Sequence, residues 1–266
     1  MRLTAIIAAL GVCAVVAVTA SAQTGPPTKE PGKLVVGFDL PAPGFWNGRA
    51  SGSTIKNPSG FEYSLALAIA KQLKIGPANV QFLRAPFGTI LLPGKKTFDF
   101  ALEETTITAQ RAKVIGFSTP YFDANQGVLV AKGTSVKKIS DLRTLQTCAQ
   151  AATTGLGWIQ HKLRPTKKPL VYSASSSAAF DAVEAKRCQA LILDVPIVVS
   201  QSRKKPGAYG GVVGQIATGE GYGAVMEKGS ALKPSVDRAI KALEANGTLE
   251  KLQQKWLPFT HVPILK

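Results

Sequence analysis

The segment Thr106-Ile-Thr-Ala-Gln-Arg111 carries residue types and spacing suited to holding a small anion. Thr108 can cap a short helix and leave free N–H groups in its first turn. Arg111, three residues on, adds a planar fork of donors matched to a carboxylate. The apolar run Phe98–Leu102 ahead of them reads as a strand. A strand, a hydroxyl-rich turn, a helix start and an arginine make an anion site as small as one carboxylate. The competing reading of Arg111 is a surface ion pair.

Strands and helices alternate around this segment. Leu34–Phe38 reads as a strand, Asp39–Ser59 as a Gly/Pro/Ser-rich loop, and Phe61–Leu73 as an amphipathic helix capped by Ser59 or Gly60. Val80–Leu83 follows as a short strand and Ile90–Leu92 as part of a short helix. Further strands are expected at Gly127–Ala131, Leu145–Gln150, Leu170–Tyr172, Ala190–Leu193, Val212–Ile216 and Ala224–Met226. Helices are expected at Thr153–Leu163, Ser177–Lys186, Val195–Ser202, Leu232–Ala245 and Leu249–Trp256, with Gly247 as a C-cap. This alternation argues for α/β architecture with mostly parallel sheets. Two blocks, about 33–122 and 126–214, precede the closing helices, and a chain that leaves a domain and returns makes two crossovers, the geometry of a hinge.

The N-terminus reads as a signal peptide over 1–22: Met1-Arg2, an apolar run from Leu3 to Val18, then Ala20-Ser21-Ala22 before a cut at Gln23. Residues 23–32 form a Pro/Lys leader. The mature part of about 244 residues suffices for one large or two small domains. Its formal charge, +16 for the whole chain, is spread over short lysine pairs without interleaved aromatics, so nucleic acid is not an expected partner. Cys148 and Cys188 each open an apolar run; in an oxidising compartment they pair if their strands are neighbours, and otherwise remain two buried thiols. His161 and His261 sit in no ligand-spaced cluster, so no metal or other cofactor is expected. There is no Gly-x-Ser-x-Gly, and Gly155-Leu-Gly157 is too short for a dinucleotide loop.

Five segments in order resemble the extracellular solute-binding proteins of polar amino-acid ABC transporters. They are Gly60-Phe61-Glu62-Tyr63-Ser64-Leu65-Ala66; Phe98-Asp99 through Thr106–Arg111 to Phe117-Ser-Thr-Pro-Tyr121; Gln150-Ala-Ala-Thr-Thr154-Gly; Ala190-Leu-Ile-Leu-Asp194; and Gly221-Tyr-Gly-Ala-Val-Met-Glu-Lys228 followed by Asn246-Gly-Thr248 and Lys255-Trp256. The resemblance covers nearly all of 33–257. It implies a two-lobe clamshell of the type II periplasmic-binding class, each lobe a mostly parallel sheet flanked by helices and joined by two hinge strands. Lobe 1 would span 33–122 and 218–266, and lobe 2 would span 126–214. Ligand would sit between the lobes, at strand and helix ends.

The resemblance also implies roles. Arg111 clamps a ligand α-carboxylate, Thr106 and Thr154 donate to it from opposite lobes, and Asp194 pairs with the α-ammonium unless it serves as the N-cap of the helix that follows. Glu104 stands where the family has a small residue whose carbonyl meets the ammonium, so the pair Glu103-Glu104 is a departure. Phe45 or Trp46 would cover the apolar part of the ligand, with Phe87 a weaker aromatic of that kind, and Gln150 and Asp39 would reach its side chain. Ala152 replaces a glycine and Ser64 an acidic residue.

The function so implied is non-enzymatic capture of a polar amino acid by a periplasmic monomer, which delivers it to a permease and ATPase at the inner membrane. Two alternatives stand beside it: an enzyme of the cyclohexadienyl dehydratase type, with Glu103 or Glu104 as general acid, and a soluble sensing partner of a receptor.

Overall fold

The computed structural model describes residues 25–173, 175–257 and 262–266; the signal peptide expected over 1–22 and the start of the leader lie outside them. The first half runs β1 (Leu34–Phe38), β2 (Asn47–Ser51), β3 (Thr54–Ser59), α1 (Phe61–Gln72), β4 (Val80–Arg84), α2 (Phe87–Ile90), β5 (Phe100–Ala101) and β6 (Gly116–Val130). The second runs β7 (Thr147–Gln150), α3 (Thr154–Trp158), β8 (Leu170–Tyr172), α4 (Ser176–Glu184), β9 (Ala190–Asp194), α5 (Val195–Lys204), β10 (Gly211–Met226), α6 (Lys233–Ala245) and α7 (Thr248–Trp256).

Eight strands form one sheet in the order β4-β1-β5-β10-β6-β9-β7-β8. At one end β4, β1 and β5 run parallel, and at the other β9, β7 and β8 do. Between them β6 and β10 lie antiparallel to each other along their whole length, with a register shift between Ile216 and Glu220. These two long strands join the lobes. Separate short strands at Gly127–Ala131, Val212–Ile216 and Ala224–Met226 are thus parts of two continuous ones.

Each lobe buries both faces of its sheet, as parallel sheets do. On β1, Leu34, Val36 and Phe38 face a core shared with α1, α6 and α7, while Val35 faces a second core with Ile90, Phe98, Ile115 and Phe117. In the other lobe Leu129, Cys148, Leu191 and Leu193 pack against α4 and α5, and Val128, Val130, Ala149 and Ile192 pack against Leu142, Ile159 and Leu163. Helix α1 buries Phe61, Leu65 and Ile69 as their i, i+4 spacing predicts.

Three local features depart from the expectations above. Part of the segment 39–59 is a β2–β3 hairpin, with Ser51 opposite Thr54 and Gly52 at φ 60 in its turn. The helix expected over Thr153–Leu163 has α geometry only to Trp158 and continues as a π-helix over Ile159–Leu163. The tail 262–266, expected with lobe 1, belongs to the other lobe. Leu265 packs against Val128 and Ile216, its N–H donates to the Gln215 carbonyl (2.8 Å), and the Lys266 carbonyl accepts from Ile139 N–H (2.9 Å). Cys148 and Cys188 are joined as a disulfide beneath β7 and β9. Among the described residues no helix is long and apolar enough to cross a membrane.

Candidate functional site

A cleft opens between the lobes. Asp39, Phe87, Glu103, Glu104, Thr106 and Arg111 line it from one side, and Gln150, Thr153, Thr154, Ser175, Ser176 and Asp194 from the other. These residues share a structural origin. Asp39 follows β1, Glu103 and Glu104 follow β5, Gln150 ends β7, Thr154 starts α3 and Asp194 ends β9. Strand ends and helix starts expose backbone groups and short polar side chains, which is why open α/β sheets bind ligands there.

Arg111 is held by its own turn: its N–H donates to Thr108 Oγ1 (3.1 Å), and a single 3₁₀ turn, Arg111–Lys113, stands where a short helix was expected. Its guanidinium donates through Nη1 to the Thr106 carbonyl (2.7 Å) and through Nη2 to the Ala152 carbonyl (2.7 Å) on the opposite lobe. A guanidinium has five N–H donors, so three remain for a ligand. The group lies over the Phe87 ring, 5.7 Å from the centroid. Burial weakens the hold of Arg111 on its proton, and the carboxylates of Asp194 and Glu220 oppose that effect. Ala152, in the glycine position of the resemblance, adopts a left-handed φ of 62°, a conformation that costs an L-residue roughly 1–2 kcal/mol.

Asp194 is buried, and its side chain makes no capping bond to α5. Its Oδ2 instead accepts from Tyr222 Oη (2.7 Å), and Oδ1 accepts from Gln126 Nε2. Burial, with help from the nearby Glu220 charge, raises its pKa from 3.8 to about 6, against the opposing pull of the Tyr222 and Gln126 bonds and of Arg111. A cation arriving beside it would favour the ionised form.

Glu103 and Glu104 both face the cleft. Glu104 sits at φ 45, and its N–H donates to Glu62 Oε1 (2.9 Å). Its carboxyl group is hydrogen-bonded to that of Glu62, which also accepts from Trp46 Nε1 (2.8 Å) and from the Tyr121 hydroxyl. Burial, then neighbouring carboxylates, hold Glu103 and Glu104 well above the ordinary carboxyl range.

Two expected ligand contacts are corrected by this geometry. Phe45 and Trp46 do not line the cleft; they are buried in the core of lobe 1. Phe45 packs edge-on against Phe61, Phe122 and Tyr222, and Trp46 Nε1 also donates to the Leu102 carbonyl (2.9 Å). Gly60 explains the inward turn: at φ 118, a Cβ there would lie 2.3 Å from the Phe45 carbonyl oxygen, so only glycine lets the loop close onto α1. Phe87 is the aromatic that reaches the cleft. Asp39 also lines it, with Oδ1 accepting from Arg84 Nε (3.1 Å), and Gln150 lies opposite.

Glu220 carries no local signal of a role in the site. Its Oε2 accepts from Thr106 Oγ1 (3.0 Å) of one lobe, Thr154 Oγ1 (2.7 Å) of the other, and Gln126 Nε2 (3.0 Å) on the joining strand β6. Both threonine hydroxyls are therefore committed to a carboxylate of the chain itself. Alanine in place of Glu220 removes an acceptor whose bonds, as bonds to a charged group, are worth roughly 1.5–3 kcal/mol each. The variant is expected to separate the lobes, read as a larger radius of gyration in small-angle scattering; an unchanged radius would show that Glu220 does not hold them.

The family model of bacterial extracellular solute-binding proteins, family 3, matches residues 34–259. The arginine-binding periplasmic protein of Mannheimia haemolytica is 30% identical over 208 residues, covering 74% of this chain and 81% of its own. The ABC transporter glutamine-binding protein GlnH of Bacillus subtilis (strain 168) is 28% identical over 211 residues, covering 76% of each. A crystal structure of an ancestral amino acid-binding protein, described as a precursor of cyclohexadienyl dehydratase, superposes with a TM-score of 0.72 at 29% identity, covering 85% of this chain and 96% of its own.

Proposed function

The chain belongs to the family 3 bacterial extracellular solute-binding proteins, and on that premise we propose that it captures a polar amino acid in the periplasm and presents it to an ABC permease and its ATPase. The observation that carries this reading is Arg111, poised with three free donors in a cleft where Asp194 waits on the opposite lobe. An α-carboxylate takes the guanidinium fork of Arg111. An α-ammonium takes Asp194. One small zwitterion thus bonds both lobes at once and favours the closed arrangement by differential affinity, which is the signal a permease can read. The relatives named for arginine and glutamine support this class of ligand.

Titration calorimetry against the twenty amino acids, arginine and glutamine first, tests the proposal. One ligand bound per chain is the expected result, and silence across the panel would overturn it. A second reading is favoured by the buried carboxyl groups of Glu103 and Glu104, which could serve a dehydratase as general acids. Aromatic product from prephenate or arogenate would establish that reading, and none is expected.

A further inference from the structure

Glu103 has no part in the jaw just described, yet it is buried, lines the cleft, and finds no hydrogen-bond partner for either carboxyl oxygen among the described residues. Glu104 beside it also leaves Oε1 unpaired. A buried carboxyl group without a partner is costly, more so when ionised. The charged groups that act on this pair are Asp39 at the end of β1, Glu62 on α1 and Asp194 at the end of β9, and all are acids. Arg84 is paired with Asp39, and Arg111 donates to two backbone carbonyls rather than to Glu103 or Glu104. Burial and these neighbouring acids favour the protonated forms of Glu103 and Glu104. The free Glu103 oxygens match two N–H donors of a guanidinium, or an ammonium, better than they match any group of the chain.

We propose that Glu103, flanked by Glu104, is the seat for a cationic side-chain terminus of the bound amino acid, which is taken up in exchange for a proton. This rests on the amino-acid reading above and narrows it to basic ligands. The balance is simple: the protonated Glu103 carboxyl releases its proton to solvent, and the carboxylate left behind pairs with the incoming cation, so the seat stays neutral. Release of one proton makes the affinity for a basic ligand rise up to tenfold per pH unit while the free protein holds that proton. A neutral amide side chain releases none at Glu103; the proton that Asp194 gives up to the α-ammonium below about pH 6 is common to both kinds of ligand, so the excess of a basic ligand over glutamine reports the seat.

The test is calorimetry with arginine, lysine and glutamine at pH 5.5, 6.5 and 7.5, in buffers of different ionisation enthalpy, on the wild-type chain and on Glu103→Gln. The wild type is expected to prefer a basic ligand, to release close to one proton more on binding it than on binding glutamine, and to gain affinity for it with pH more steeply than for glutamine. Glu103→Gln, uncharged like the protonated acid, should lose tenfold or more for that ligand relative to any change for glutamine, and lose the excess proton release and the excess pH slope. A basic ligand bound with no more proton release than glutamine, a preference unchanged in Glu103→Gln, or a wild type that binds only neutral amino acids would each overturn the proposal while leaving the amino-acid reading intact. No binding by any amino acid would overturn both. Should Glu103→Gln fail to fold by circular dichroism, the wild-type proton count decides alone.

Discussion

Arg111→Ala is expected to abolish amino-acid binding at any concentration calorimetry can reach. The variant takes away the fork that would pair with the α-carboxylate and leaves that carboxylate to be desolvated without a partner. Breaking a buried charge pair from one side costs about 3–5 kcal/mol, a loss of roughly 150- to 5,000-fold. The same side chain also links the Thr106 carbonyl of one lobe to the Ala152 carbonyl of the other, so closure loses a tie as well. Arg111→Lys separates these contributions, because it keeps the charge and loses the planar fork; it should bind between wild type and alanine. A folded Arg111→Ala chain that loses less than tenfold would show that the clamp lies elsewhere.

Arg111, Thr154 and Asp194 were legible in the sequence because the requirement that places them is local. Asp194 ends a strand, Thr154 starts a helix and Arg111 opens a 3₁₀ turn, and a few neighbouring residues define those positions. The alternation of strands and helices was legible for the same reason: apolar runs of the right length sit between Gly, Pro and Ser. The aromatics of the first loop were not. Phe45 and Trp46 lie in a segment with no strong period, and their direction is decided by the bare Cα of Gly60 and by the buried Glu62 acceptor, both beyond the loop itself. Glu220 was hidden for a stronger reason, since its three donors lie 114, 94 and 66 residues away and meet it only when β6, β10 and both lobes have assembled. The acid pair was visible as a departure, but its meaning depends on burial and on the missing partners of Glu103, which no spacing reveals. The C-terminal tail was misplaced because nothing within 262–266 marks which lobe it will join. Its position is set by a bridge between Ile264 and Gln215 on a strand that serves both lobes.

Loss of the Cys148–Cys188 bridge is expected to lower stability by about 4 kcal/mol, the chain-entropy value for closing a loop of 40 residues. For a chain of this size that corresponds to a fall in Tm of roughly 8–16 °C. The bridge has a functional consequence through the strands it ties. Cys148 lies on β7, which leads to Gln150 and Thr154, and Cys188 lies just before β9, which ends at Asp194. The half of the jaw that would take the ammonium thus hangs from two parallel strands pinned at their base, with Cys148 opposite Leu191 in the register. Both cysteines are fully buried among Leu129, Ala179, Phe180 and Val183, so a double alanine variant also removes some packing and its loss should slightly exceed that of simple reduction. Thermal unfolding of the oxidised chain, the reduced chain and the double variant measures both effects. Binding at low temperature should survive in all three, because the core and ladder bonds still hold β7 beside β9, while the temperature at which ligand is released should fall with Tm. A reduced chain as heat-stable as the oxidised one would show that packing alone fixes this lobe; a reduced chain that stays folded but no longer binds would show that the bridge positions Thr154 and Asp194 directly.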